Sequence, residues 1–319
     1  MSNIIEELKS KIIGKDLKIV FPESSDLRIL EAAAKLANEG LIKPVLIGER
    51  SKLDKTFDLS GCDVINPTEY EDFDNMVESF VARRKGKATE EMARKLLLDE
   101  NYFGTMLVYM NKAHGLVSGA IHSTGDTVRP ALQIIKTKPG VSRTFGYFLM
   151  ERDSEKYIFG DCAINPNPDA ESLAEFAVES AKAAEMFGIE PKVALLSFST
   201  NGSADTEESQ KIQLATKIAQ EKNSGYEIDG EMQFDAAFVP SVGEKKYKGS
   251  AVAGKANTFI FPDLNSGNIG YKIAQRLGNF EAMGPILAGL NQPVNDLSRG
   301  CSSKDAYNTA IITAAQTLI

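Results

Sequence analysis

The chain has 319 residues, 43% hydrophobic and 25% charged, which suits a soluble globular protein and is long enough to suggest two domains. Its formal net charge of −8 argues against a basic nucleic-acid surface as the main business of the protein. Three scattered cysteines (Cys62, Cys162, Cys301), with no CxxC, argue against a disulfide framework and a cysteine-rich zinc site.

The opening residues Met1–Glu7 lack the basic start and apolar core of a signal peptide, and no apolar run approaches a membrane span, so a cytoplasmic location is the expectation. Residues 18–22 read as a short buried strand, 26–38 as a helix stopped by Gly40, and 44–48 as the next strand. That rhythm marks a parallel sheet with covering helices. Helices are expected over 72–85, 89–100 and 102–112, then a strand over 115–119 and a helix over 127–136 with Pro130 in its first turn. The polar turn Thr137-Lys138-Pro139-Gly140 marks a boundary, and the pattern restarts after it. Strands follow at 145–150, 157–163, 193–198 and 258–261, and helices at 169–187, 205–219, 269–277 and 303–318. Two α/β units in one chain place a ligand site in the cleft between them, at strand ends.

The stretch Pro293–Asp305 is the richest in chemistry. It sets a hydroxyl, a guanidinium and two carboxylates in a polar loop that opens into the last helix. Helix starts have unpaired N–H groups and attract anions. Arg299 can grip a phosphate or carboxylate with two parallel hydrogen bonds, and Asp305 stands near as a possible base. An anion grip, a hydroxyl and a base together point to acyl or phosphoryl transfer. Plainer roles compete. Ser302-x-x-Asp305 fits a capping box, the stronger reading of Asp305 on spacing alone. Ser298 reads as a turn serine or hydrogen-bond donor. As a nucleophile it would need an oriented base, and the two histidines, His114 and His122, are far away in sequence. Arg276 sits late in a helix, where a dipole partner is common. Arg129, just before Pro130 near the expected helix start, suits an anion. The run Arg83, Arg84, Lys85, Lys87 is either a solvated face or a phosphate contact. The turn from Asp263 to Asn268 suits a second anion contact or a plain strand-to-helix turn, and Cys301 is weak evidence for a nucleophile. Neither GxxxxGK[ST] nor GxGxxG is present.

Taken in order, Gly115–Thr124, Thr127–Thr137, Asp161–Pro168, Ser197–Thr200, Asp229–Ala237, Phe261–Asn268 and Pro293–Asp305 resemble the phosphate acetyltransferases, of the phosphate acetyl/butyryltransferase family, over nearly the whole chain. The resemblance implies an isocitrate/isopropylmalate dehydrogenase-like fold of two domains, each a mainly parallel sheet flanked by helices. The first is formed by 1–141 with 291–319 and the second by 142–290. It also implies a homodimer with no metal and no resident cofactor, acting on CoA, acetyl phosphate and inorganic phosphate by direct attack in a ternary complex. Asp305 would take the CoA thiol proton, Ser298 would hydrogen-bond the reacting groups, Arg299 would hold acetyl phosphate, and Arg276 would assist catalysis. Arg129 and Arg83 would bind CoA, with Arg84 as the neighbouring alternative to Arg83. A carboxylate near pKa ~3.9 is a weak base for a thiol near ~8.5, so arginines that favour thiolate, or proton removal concerted with attack, must narrow the gap. Butyryl or propionyl transfer, a metal-dependent decarboxylating dehydrogenase and a two-lobed ligand-binding protein are the alternatives.

Overall fold

The computed structural model describes residues 4–53, 55–222 and 225–318. Its strands are β1 (Lys18–Phe21), β2 (Lys43–Ile47), β3 (Asp63–Ile65), β4 (Gly115–Ser118), β5 (Phe145–Arg152), β6 (Glu155–Gly160), β7 (Lys192–Leu196), β8 (Glu227–Met232), β9 (Thr258–Ile260), β10 (Glu281–Ala288) and β11 (Val294–Asp296). The chain divides into two compact units, one of Ser2–Lys138 with Leu290–Ile319 and the other of Pro139–Gly289.

In the unit built from both ends of the chain, the strand order is β11-β4-β1-β2-β3 and every pairing is parallel. Ile19, Val20, Phe21, Leu116 and Val117 are fully buried, as expected of strands covered on both faces. The helix Ser303–Gln316 presents Ala306, Ala310, Ile311 and Ala314 to the core and packs on helices Leu27–Asn38 and Ile4–Ile12 and on β4. The order reverses between β1 and β4: the chain steps from β1 to β2 and β3 on one side, then returns to β4 and β11 on the other. Loops leaving the carboxyl ends of β1 and β4 therefore diverge, and such a switch point opens a crevice for a ligand.

The 139–289 unit has the order β10-β5-β6-β9-β7-β8. β6, β9, β7 and β8 run parallel, and β5 and β10 pair antiparallel at one edge. Phe148, Met150, Phe159, Ala194, Met232 and Phe259 form a core against the helices that cover this sheet. The α/β class with mainly parallel sheets flanked by helices is thus the observed one.

Some elements differ from expectation. In place of one helix over 127–136 there is a helix Thr124–Pro130 followed by a π-helical turn Ala131–Ile135. Ser123 and Asp126 form a capping box that sets the start before Thr127. Pro130 closes that helix because it has no N–H for the ladder. Likewise Asp263 accepts the Ser266 N–H (2.9 Å) and starts the expected 269–277 helix at Leu264. β3, β8, β10 and β11 were not expected: β3 is only half-buried, and Asp229, Gly230, Gly284 and Pro285 interrupt the apolar pattern of β8 and β10.

Candidate active site

Three loops meet at the switch point, leaving the carboxyl ends of β1, β4 and β11. The first carries Glu23, which is 1% exposed. Its Oε2 accepts the N–H of Gly119 (2.9 Å) and of Ala120 (2.8 Å). Its Oε1 accepts the N–H of Ile121 (2.9 Å) and of His122 (2.8 Å). The His122 Nδ1 lies 2.8 Å from the same oxygen. A carboxylate only accepts, so Nδ1 carries the proton and Nε2 faces Glu100 Oε1 at 3.5 Å. Burial raises the Glu100 carboxyl to about 7, with His122 pulling the other way. Gly119 turns this loop at φ +114°, and a Cβ there would overlap the Asp296 carboxylate and stand 2.6 Å from Leu297 N.

The third loop is tied to the second by Arg28, at the start of helix Leu27–Asn38. Arg28 Nη1 donates to the carbonyls of Arg299 (2.9 Å) and Cys301 (2.8 Å), while Nη2 donates to Ala120 O (2.9 Å) and Asp26 Oδ2 (2.7 Å). Ser298 and Arg299 are exposed at the tip. The Ser298 hydroxyl oxygen accepts the Gly300 N–H (3.2 Å), and its carbonyl accepts the Cys301 N–H (2.8 Å), so the tip is a tight serine turn. Arg299 makes no side-chain hydrogen bond or ion pair among the described residues and is available to an anion. Asp305 completes the capping box: Oδ2 accepts the Ser302 N–H (2.7 Å) and hydroxyl (2.9 Å). The capping role read from spacing is therefore present. Cys301 is buried, and burial pushes its thiol up to about 11, which makes it a poor nucleophile.

Beneath this tip Asp296 is 1% exposed, and its Oδ2 accepts from the Thr124 hydroxyl (2.7 Å). Burial raises the carboxyl to about 6, opposed by Thr124 and Thr127.

Arg129 is exposed in the last turn of helix Thr124–Pro130, not at a helix start, because the capping box begins the helix earlier. The anion argument from a helix N-terminus is thereby lost. Its guanidinium folds back along the helix, 3.8 Å from Asp126 Oδ1. Arg83 donates through Nε to Ile134 O (2.6 Å) and through Nη2 to Ile135 O (2.8 Å), stacking 4.9 Å from the Tyr109 ring centre. It thus caps the π-turn, a structural duty that the sequence did not signal. Lys136 follows that turn, and its ammonium is held below its usual value by burial and then by Arg83, Lys85, Arg84 and Lys87. Among the described residues none of these five cations pairs with a carboxylate, so a local positive field stands on an acidic protein.

Arg276 belongs to the 139–289 unit, exposed in the last turn of helix Leu264–Leu277. In that unit Asp161, 2% exposed, gathers the N–H groups of Gly146 (3.1 Å), Ala163 (2.9 Å), Ile164 (3.1 Å) and Asn165 (2.8 Å). It is the counterpart of Glu23. Glu23, Arg28 and the buried roles of Asp161 and Asp296 were missed by sequence reasoning. For Glu23 and Asp161 the available signal was position: a carboxylate one or two residues past a buried strand. Among the described residues no group of three or more His, Cys, Asp or Glu is arranged to hold a metal, and no helix is long and apolar enough to cross a membrane.

The family model described as phosphate acetyl/butaryl transferase matches residues 2–314. The chain is 60% identical to a phosphate acetyltransferase of Bacillus subtilis (strain 168), covering 100% of both chains. A phosphotransacetylase structure from Streptococcus pyogenes superposes with TM-score 0.97 at 59% identity, covering 100% of this chain and 99% of that one. The EutD phosphotransacetylase from Staphylococcus aureus gives 0.93 at 57%, covering 99% and 100%. With its switch-point loops and this likeness along its full length, the chain belongs to the phosphate acetyl/butaryl transferase family.

Proposed function

We propose that this protein is a phosphate acetyltransferase, interconverting acetyl-CoA and phosphate with CoA and acetyl phosphate. The observation that carries the reading is the loop from β11 to the closing helix. It brings Ser298, an unpaired Arg299 and Asp305 within eight residues, in a chain 60% identical to a phosphate acetyltransferase. Arg299 receives the phosphoryl oxygens in a two-pronged grip. Asp305 accepts the thiol proton as sulfur attacks the acetyl carbon. The C–O bond to phosphate then breaks, and phosphate leaves as an anion paired with Arg299. Ser298 donates to the charge growing on the tetrahedral centre, where one aimed donor is worth about 2.7–4 kcal/mol of barrier.

Arg129 and the basic cluster of Arg83, Arg84 and Lys136 receive CoA phosphates; for the cluster, support comes from cations that pair with no carboxylate among the described residues and lie close enough to lower the Lys136 ammonium. Arg276 assists catalysis, in keeping with the family resemblance. The active form is a cytoplasmic homodimer. Support for a protein contact comes from one helix face, where Ile269, Ile273 and Leu277 are exposed at 57%, 53% and 81% at four-residue spacing. Thioester formation from CoA and acetyl phosphate, run beside propionyl and butyryl phosphate, tests the reading. Acetyl phosphate should be the best donor, and absence of thioester with all three would overturn it.

A further inference from the structure

We propose that Glu23 is a positioning residue of the transfer reaction, which with Arg28 holds the loop after β4 and the loop after β11 in a fixed mutual register. This rests on the phosphate acetyltransferase reading and adds a pair of residues to it.

A carboxylate taken out of water is costly unless every lone pair is used. Glu23 spends its bonds on four consecutive backbone N–H groups, residues 119–122, and on the His122 ring. Successive N–H groups converging on one point form an anion-binding nest. Glu23 fills that nest from within, which fixes the shape of the loop and leaves external anions to the arginines. The helix after this loop carries Arg129. Five residues beyond Glu23, Arg28 spans from Ala120 O in the same loop to Arg299 O and Cys301 O in the next. The side chains of Glu23 and Arg28 therefore brace the backbones carrying the CoA contact and the phosphate grip. Neither side chain needs to touch a substrate. What they control is the alignment of two bound substrates, where displacements of about 1 Å can cost on the order of 10²-fold in rate.

The predicted signature separates alignment from contact. Glu23→Gln keeps the shape but sets an amide nitrogen against N–H donors, so at least one side of the nest is lost. In the purified full-length protein, kcat at saturating CoA and acetyl phosphate should fall about tenfold or more, while Kd for CoA and for inorganic phosphate, measured separately, should stay within about threefold. Arg28→Lys should show the same split. The comparison variant is Ser24→Ala, beside Glu23, whose hydroxyl donates to Ile47 O outside this bracket. It should lower Tm and leave kcat unchanged. Should Glu23→Gln fail to fold, Glu23→Asp, which keeps the charge but falls one methylene short, carries the same test. A folded Glu23 variant with wild-type kcat would overturn the proposal, as would a loss confined to substrate Kd. The wild-type assay comes first, so a failure of the acetyltransferase reading is seen independently of any variant.

Discussion

The Asp305 carboxylate accepts both the backbone N–H and the hydroxyl of Ser302 through one oxygen, Oδ2. The proposed base is thus also half of a helix cap, which engages Oδ2. Asp305→Asn keeps an oxygen for the Ser302 N–H. Stability should change by less than about 1 kcal/mol, whereas kcat should fall by about 10²-fold or more. Chemical denaturation and steady-state kinetics read the two separately. Turnover near wild type would remove Asp305 as the base.

The Arg299 carbonyl accepts from Arg28, while its guanidinium makes no hydrogen bond or ion pair among the described residues. Arg299→Lys retains charge without the planar fork. The kcat/KM for acetyl phosphate should drop by about tenfold or more, equivalent to about 1.4 kcal/mol of lost transition-state binding. A rise in the CoA KM alone would show that the phosphate sits elsewhere.

Arg83 and Arg84 are adjacent but differently employed. Arg83→Ala strips donors from Ile134 O and Ile135 O, which should cost about 1–3 kcal/mol of stability. Arg84→Ala should leave Tm nearly unchanged and raise the CoA KM severalfold. Thermal melts beside CoA titrations distinguish them, and a reversed pattern would make Arg83 the main CoA contact.

Asp296 has a folded-state value raised from 3.8 to about 6 by burial. The folded state therefore holds this proton more tightly than the unfolded state does. Its contribution to stability is fully present below about pH 4 and is lost as pH rises through about 6. Asp296→Asn removes the penalty of an ionised buried group. Its stability relative to wild type should rise from pH 4 to 7, by up to about 3 kcal/mol. Taking the difference at each pH cancels the parallel titration of Glu100. A flat difference across that range would mean Asp296 is well solvated or fully compensated.

Much of this molecule was legible in the sequence. The buried apolar runs at Lys18–Phe21, Lys43–Ile47 and Gly115–Ser118 announce parallel strands without help from neighbours. The Ser298–Asp305 loop shows itself because its chemistry is local. What stayed hidden depends on distance along the chain. Glu23 gains meaning only when residues 119–122 fold over it, a separation of nearly a hundred positions. Arg28 reaches loops that precede and follow residues 139–289 in the sequence. Arg129 was set at a helix start because Pro130 is a strong local signal, and the Ser123–Asp126 box outweighed it. Edge strands such as β3 and β11 are short and half-polar, and pairing rather than pattern defines them.

The pairing of β11 with β4 also has a consequence for how the protein is made. The ribosome reaches β11 only after it has synthesised the whole of Pro139–Gly289. A nascent chain can therefore complete its middle unit while the flanking sheet still lacks a strand, with β4 bare along one side. An unpaired strand edge invites aggregation and chaperone capture. Product terminated before β11 would display that edge and lack Ser298 and Arg299, which leaves it open to aggregation and proteolysis.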